Sequence, residues 1–152
     1  MELDKRVWEC YERTEDQAKE NVSFSLDYQF HHFLKKNPTP IEQIMYLALW
    51  GYQPYPIRDL RFQEQIGDYR VDFLALPAVE SNKKIVIECD GHNFHERTKE
   101  QAQRDKKRDR DLQSSGYSVF RFTGSELWRD PEKCANEISD VLMSRSVKNG
   151  NE

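Results

Sequence analysis

Two hydrophobic periods divide the chain. Up to residue 37 the apolar positions recur at helical spacing, with Val7, Tyr11 and Ala18 in a sparse stripe and Phe30, Phe33 and Leu34 in a denser one. Asn37-Pro38-Thr39-Pro40 interrupts the pattern, because proline lacks an amide donor and fixes its own backbone angle. A further helix begins there. Thr39 is placed to cap it, Pro40 suits the first turn, and Ile41, Ile44, Met45, Ala48 and Leu49 share a face that should end near Gly51. Residues 53–59 contain two prolines and read as a loop.

Beyond the loop the period shortens to two. Residues 61–66, 69–76 and 84–89 read as strands, and Gly67-Asp68 is short enough to join the first pair as a hairpin. Val71, Phe73 and Ala75 alternate with Asp72, Leu74 and Leu76, while Ile85-Val86-Ile87 is a β-branched run suited to a central strand. A polar helix over 97–115 should stop at Gly116, followed by a strand over 117–122 and a helix over 131–143. This order predicts an α/β fold with a small mixed central sheet of about four strands flanked by helices. It divides the chain into a helical N-terminal extension (1–37), a core (38–145) and a tail (146–152).

Composition narrows the class. At 152 residues, 37% hydrophobic and 33% charged, the chain has room for one domain with a real core. Cys10, Cys89 and Cys134 are far apart and odd in number, which suits a reducing compartment and gives no disulfide framework. No run approaches the roughly 20 apolar residues of a membrane span, and no basic-then-apolar leader opens the sequence. The expectation is a cytoplasmic protein without a membrane partner. A net charge of −4 argues at first against nucleic acid. Its distribution reverses that argument. Arg97, Lys99, Arg104, Lys106, Lys107, Arg108 and Arg110 crowd one segment, whereas Glu9, Glu12, Glu15, Asp16 and Glu20 lie near the N-terminus. The cationic segment can therefore meet phosphates.

Three acids carry the candidate chemistry. Asp72 sits between Val71 and Phe73, and Glu88 and Asp90 close the next strand in Ile87-Glu88-Cys89-Asp90-Gly91. Residues two apart on a strand share a face, and antiparallel neighbours bring their side chains within a few ångströms. Clustered carboxylates repel one another unless a cation sits among them. A hard ion such as Mg²⁺ or Mn²⁺ accepts such oxygen ligands, keeps some water, and stabilises a phosphodiester transition state. The Cys89 side chain should face the other way and pack as a small hydrophobe.

Asp72 followed by Glu88-Cys89-Asp90 resembles the PD-(D/E)xK nuclease superfamily, in which an Asp on one strand and a Glu-x-Lys on the next bind the metal. The chain looks most like the branch of very-short-patch repair endonucleases and related phage homing endonucleases. That likeness runs through Glu42, Val71-Asp72, Glu88-Cys89-Asp90-Gly91 with His95, Asp105 through Arg108 to Leu112, and the strand from Gly116 to Phe122. It covers roughly residues 38–138. The resemblance implies a restriction-endonuclease-like fold and a metal-dependent DNA endonuclease. In it Asp72, Glu88, Asp90 and the Cys89 carbonyl hold Mg²⁺ or Mn²⁺, His95 transfers a proton, and Glu42 orients water or a second ion. Glu42 also completes a capping box with Thr39. The chain departs from the superfamily pattern where Asp90 stands in place of the usual Lys, so either Asp90 adds a ligand or His95 takes over proton transfer.

Arg97, Lys99, Arg104, Lys106, Lys107 and Arg121 are the candidate nucleic-acid contacts, with Arg121 equally able to pair with an acid. Helical spacing turns Asp105 and Arg108 inward. The N-terminal extension is a candidate for target recognition, homodimerisation or a protein partner. Two rival readings stand beside the nuclease. Cys89, His92 and His95 have zinc-like spacing, and a nuclease-like module that only binds nucleic acid or protein would also tolerate Asp90.

Overall fold

The computed structural model describes residues 2–18, 26–51, 57–78, 82–91 and 98–143. The helical stretch before Asn37 holds two helices, α1 (Lys5–Ala18) and α2 (Leu26–Leu34), followed by α3 (Pro40–Gly51) where the apolar face predicts it. Then come β1 (Ile57–Ile66), β2 (Tyr69–Pro77), β3 (Ile85–Asp90), α4 (Lys99–Ser114), β4 (Ser118–Thr123), α5 (Gly124–Arg129) and α6 (Pro131–Met143). Two elements correct the sequence reading. β1 starts at Ile57, inside the stretch expected to be a loop, because Ile57 finds a partner in Pro77 at the far end of β2. α5 is too short to show a period. It is started by a capping box in which Thr123 Oγ1 accepts the Glu126 amide and the Glu126 carboxylate accepts the Thr123 amide at 2.8 Å.

The four strands lie in the order β1-β2-β3-β4, antiparallel except for the parallel β3–β4 pair. Ile66 faces Tyr69 across the Gly67-Asp68 turn, where Gly67 takes a φ of 56° that a side chain would resist. A parallel neighbour cannot follow through a tight turn, and α4 supplies the crossover from β3 to β4.

The alternation of the strands sorts side chains to two faces. Phe73, Ala75, Ile85, Ile87 and Phe122 join the larger core with α1, α2, α3 and α6. Leu74, Val86 and Leu112 form a smaller core under α4, and Val71 joins them rather than Phe73 and Ala75, so the expected alternation of β2 does not hold across Asp72. The N-terminal helices are part of the larger core: Val7, Phe30 and Phe33 are buried in it, and Phe33 stacks on Tyr46 of α3 at 4.1 Å. Trp50 and Trp128, each partly buried, pack against its edge. Among the described residues, no helix is long and apolar enough to cross a membrane.

Candidate active site

β2 and β3 pair only from Ala75↔Ile85 to Phe73↔Ile87. One residue further along, side chains replace the ladder. Asp72 Oδ2 accepts the Cys89 amide at 2.9 Å, and Glu88 Oε2 accepts the Asp72 amide at 3.4 Å. The two carboxylates thus cross-brace strands that have begun to separate, and each satisfies an amide that the ladder no longer serves. Across β2, Gln63 of β1 sits in the left-handed region at φ 53° between the pairs Phe62↔Phe73 and Glu64↔Val71. Backbone strain of this kind gathers at functional sites, and here it lies opposite Asp72. Nothing in the alternation of β1 announced it.

Glu88 is 4% exposed. Burial is the largest cause that raises its carboxyl, to about 8, and Asp72 beside it adds to the effect; Arg108 and Arg121 pull the other way. The Arg108 guanidinium donates to Glu88 Oε1 and, at 2.5 Å, to the Arg70 carbonyl of β2. On the far side of β3, Arg121 forks onto Asp109 of α4 with contacts of 2.7 and 2.9 Å and also reaches Asp90 Oδ1 at 3.1 Å. These acids hold the Arg121 guanidinium well above its ordinary value, Asp109 foremost. Arg121 therefore pairs with acids, the second of its two expected roles.

Glu42 approaches from the start of α3. Its amide donates to Thr39 Oγ1 at 3.4 Å, as an N-cap requires, and its Oε1 accepts the Thr39 hydroxyl at 2.9 Å. Its carboxyl is nevertheless raised, chiefly by burial, with the charge of Asp72 adding to the effect. Cys89 reports the convergence. Burial raises its thiol most, and the negative charges of Asp72, Glu42, Glu88 and Asp90 all push it further. Its side chain packs against the larger core, as expected.

The side-chain donors are carboxylate oxygens at a crowded, partly dry position, which fits a hard divalent ion and not a soft one. As the side chains stand, among the described residues no three acids, cysteines or histidines converge as a closed metal cage. His92 and His95, and with them the zinc alternative, lie outside the described residues, as does Arg97. Lys99, Arg104, Lys106 and Lys107 are all exposed on α4; Lys107 is held by Asp111 at 2.8 Å. The sequence reading turned Arg108 inward correctly. It missed Asp109, whose inward position is visible only once Arg121 is brought beside it.

Residues 46–142 match the family model REase_MTES_1575. The chain is also 34% identical over 70 residues to a protein described as the type II nicking enzyme V.HpaIIP of Haemophilus parainfluenzae. That match covers 46% of this chain and 44% of the relative, so less than half of either protein is compared.

Proposed function

Since the chain belongs to the REase_MTES_1575 family and has the PD-(D/E)xK restriction-endonuclease-like fold, we propose that it is a metal-dependent DNA endonuclease acting at the end of β2 and β3. The cross-brace between Asp72 and Glu88 carries this reading: two carboxylates stand together just past one end of the β2–β3 ladder. Asp72, Glu88 and the Cys89 carbonyl are the proposed ligands of Mg²⁺ or Mn²⁺, with Asp90, tethered by Arg121, as a further donor. When bound, the ion supplies Lewis-acid stabilisation of the phosphodiester and acidifies a water.

The remaining work falls to the chain's own groups. Glu42, raised by burial and by Asp72, is the group proposed to orient the attacking water and accept its proton. His95 is proposed to carry a proton toward the leaving oxygen, a role for which imidazole is suited near neutral pH. Lys99, Arg104, Lys106 and Lys107, exposed along α4, together with Arg97, are proposed to hold the phosphate backbone without reading sequence.

One observation favours a second reading. Arg108 and Arg121 already occupy Glu88 and Asp90, as in a module that binds nucleic acid without cutting it. Purified protein incubated with supercoiled plasmid and Mg²⁺ or Mn²⁺ separates the two. Wild type is expected to nick or linearise the plasmid, and Asp72→Ala to lose at least about a hundredfold of that rate. Retarded but intact plasmid with both proteins would leave the binding module.

A further inference from the structure

We propose that Arg108 is a positioning residue for the active centre, the strut that holds Glu88 in place where the β2–β3 ladder ends. This rests on the nuclease reading and assigns the inward face of α4 a function within it. Three observations converge on it. First, the last β2–β3 pair is Phe73↔Ile87, so the backbone itself no longer sets the spacing between Asp72 and Glu88. Second, one terminal nitrogen of Arg108 bridges that gap. It donates to the Arg70 carbonyl on β2 and to the Glu88 carboxylate on β3. Third, the strut is itself fastened. Leu112, one turn along α4, is buried in the smaller core, and the guanidinium lies 5.9 Å from the centre of the Tyr69 ring. The Tyr69 hydroxyl in turn donates to Asp111 of the same helix at 2.5 Å.

The geometry argues against two simpler roles. A guanidinium with a side-chain exposure of 20%, held between a carbonyl and a carboxylate, is poorly placed to reach out to a phosphate. A plain helix anchor would not need to end on an acid whose own exposure is 4%. Arg108 fixes one Glu88 oxygen, and the Asp72 amide fixes the other. A carboxylate has about four lone-pair directions, so both contacts leave room for an ion. Groups that orient a ligand from behind in this way typically change metal affinity 10–100-fold when removed. Arg108→Gln keeps two donors and loses the charge. Arg108→Lys keeps the charge and loses the planar fork.

Calorimetric titration of the full chain with Mn²⁺ is the test, alongside gel retardation of plasmid in EDTA and a thermal melt. Arg108→Gln is expected to weaken Mn²⁺ binding by about 10–100-fold and to retard metal-free plasmid within about twofold of wild type. Arg108→Lys is expected to weaken Mn²⁺ by a smaller factor, about three- to tenfold. Unchanged or tighter Mn²⁺ binding in Arg108→Gln overturns the proposal, as does a loss confined to DNA retardation. If Arg108→Gln fails to fold, Arg108→Lys decides alone: Mn²⁺ affinity equal to wild type overturns the strut. Asp72→Asn separates the two layers of inference. If wild type binds no Mn²⁺, or Asp72→Asn binds it equally well, the metal-centre reading falls and the strut with it. If Asp72→Asn loses binding while both Arg108 variants keep it, only the strut falls.

Discussion

Buried beside Asp72, the Glu88 carboxyl titrates late, up to about 8, with burial as the first cause and the neighbouring charge as the second. A folded-state value above the ordinary 4.5 means that the folded chain binds this proton more tightly than the unfolded chain does. The stability gained is complete below about pH 4.5 and is lost as pH rises toward about 8. Metal-free protein is thus expected to lose on the order of 10 °C in Tm from this group between about pH 5 and pH 8.5. Glu88→Gln should flatten that slope, and saturating Mn²⁺ should restore wild-type stability at the alkaline end. Calorimetry at constant ionic strength checks both, and a wild-type Tm that rises through the window would contradict the assignment. The acids themselves were legible in the sequence, because Asp72 interrupts an apolar alternation and Glu88 ends a β-branched run. Helical spacing turned Arg108 inward and left Arg121 free to pair with an acid, but which acid each meets was not legible. The Arg108–Glu88 contact joins residues 20 apart, and the Asp90–Arg121 contact residues 31 apart.

Helix α4 shows how little of an element's role its own periodicity reveals. Its start was legible in outline, and Thr98 caps it through a reciprocal pair with Gln101. Only Leu112 of its side chains is fully buried, so polar contacts do much of the docking: Arg108 to Glu88, Asp109 to Arg121 and Asp111 to Tyr69. The opposite face keeps Arg104 and Lys106 exposed. Both side chains stand in solvent on the outer face of the helix, so their removal should act on DNA alone. The double variant Arg104→Ala/Lys106→Ala is expected to weaken plasmid retardation at all sequences. It should also reduce the slope of log affinity against log salt by about one unit per lost phosphate contact. Anisotropy titrations over a salt series measure that slope, and an unchanged slope would move the DNA interface elsewhere.

At the scale of the whole molecule, the first two helices close the larger core over the sheet. Phe33 is 4% exposed, stacks on Tyr46 at 4.1 Å, meets Phe62 edge-on at 4.8 Å, and lies 6.1 Å from Phe73, the neighbour of Asp72 in β2. Phe33→Ala is expected to cost about 3–5 kcal/mol in denaturant unfolding, and a chain begun at Pro38 to be poorly folded. A truncated chain with wild-type stability would show that the extension is an independent addition. Local information settled a good deal of this molecule. Period-two alternation, the Gly67-Asp68 turn and the breaks at Pro38 and Gly116 specify strands, hairpin and helices, because each depends on residues a few positions apart. They also mark Asp72, Glu88 and Asp90 as acids out of place in an apolar setting. Only the tertiary structure decided what those acids meet. The left-handed kink at Gln63, the end of the β2–β3 ladder, and the arginines that grip Glu88 and Asp90 all arise where segments distant in sequence are packed together. Contacts of that kind carry no period along the chain.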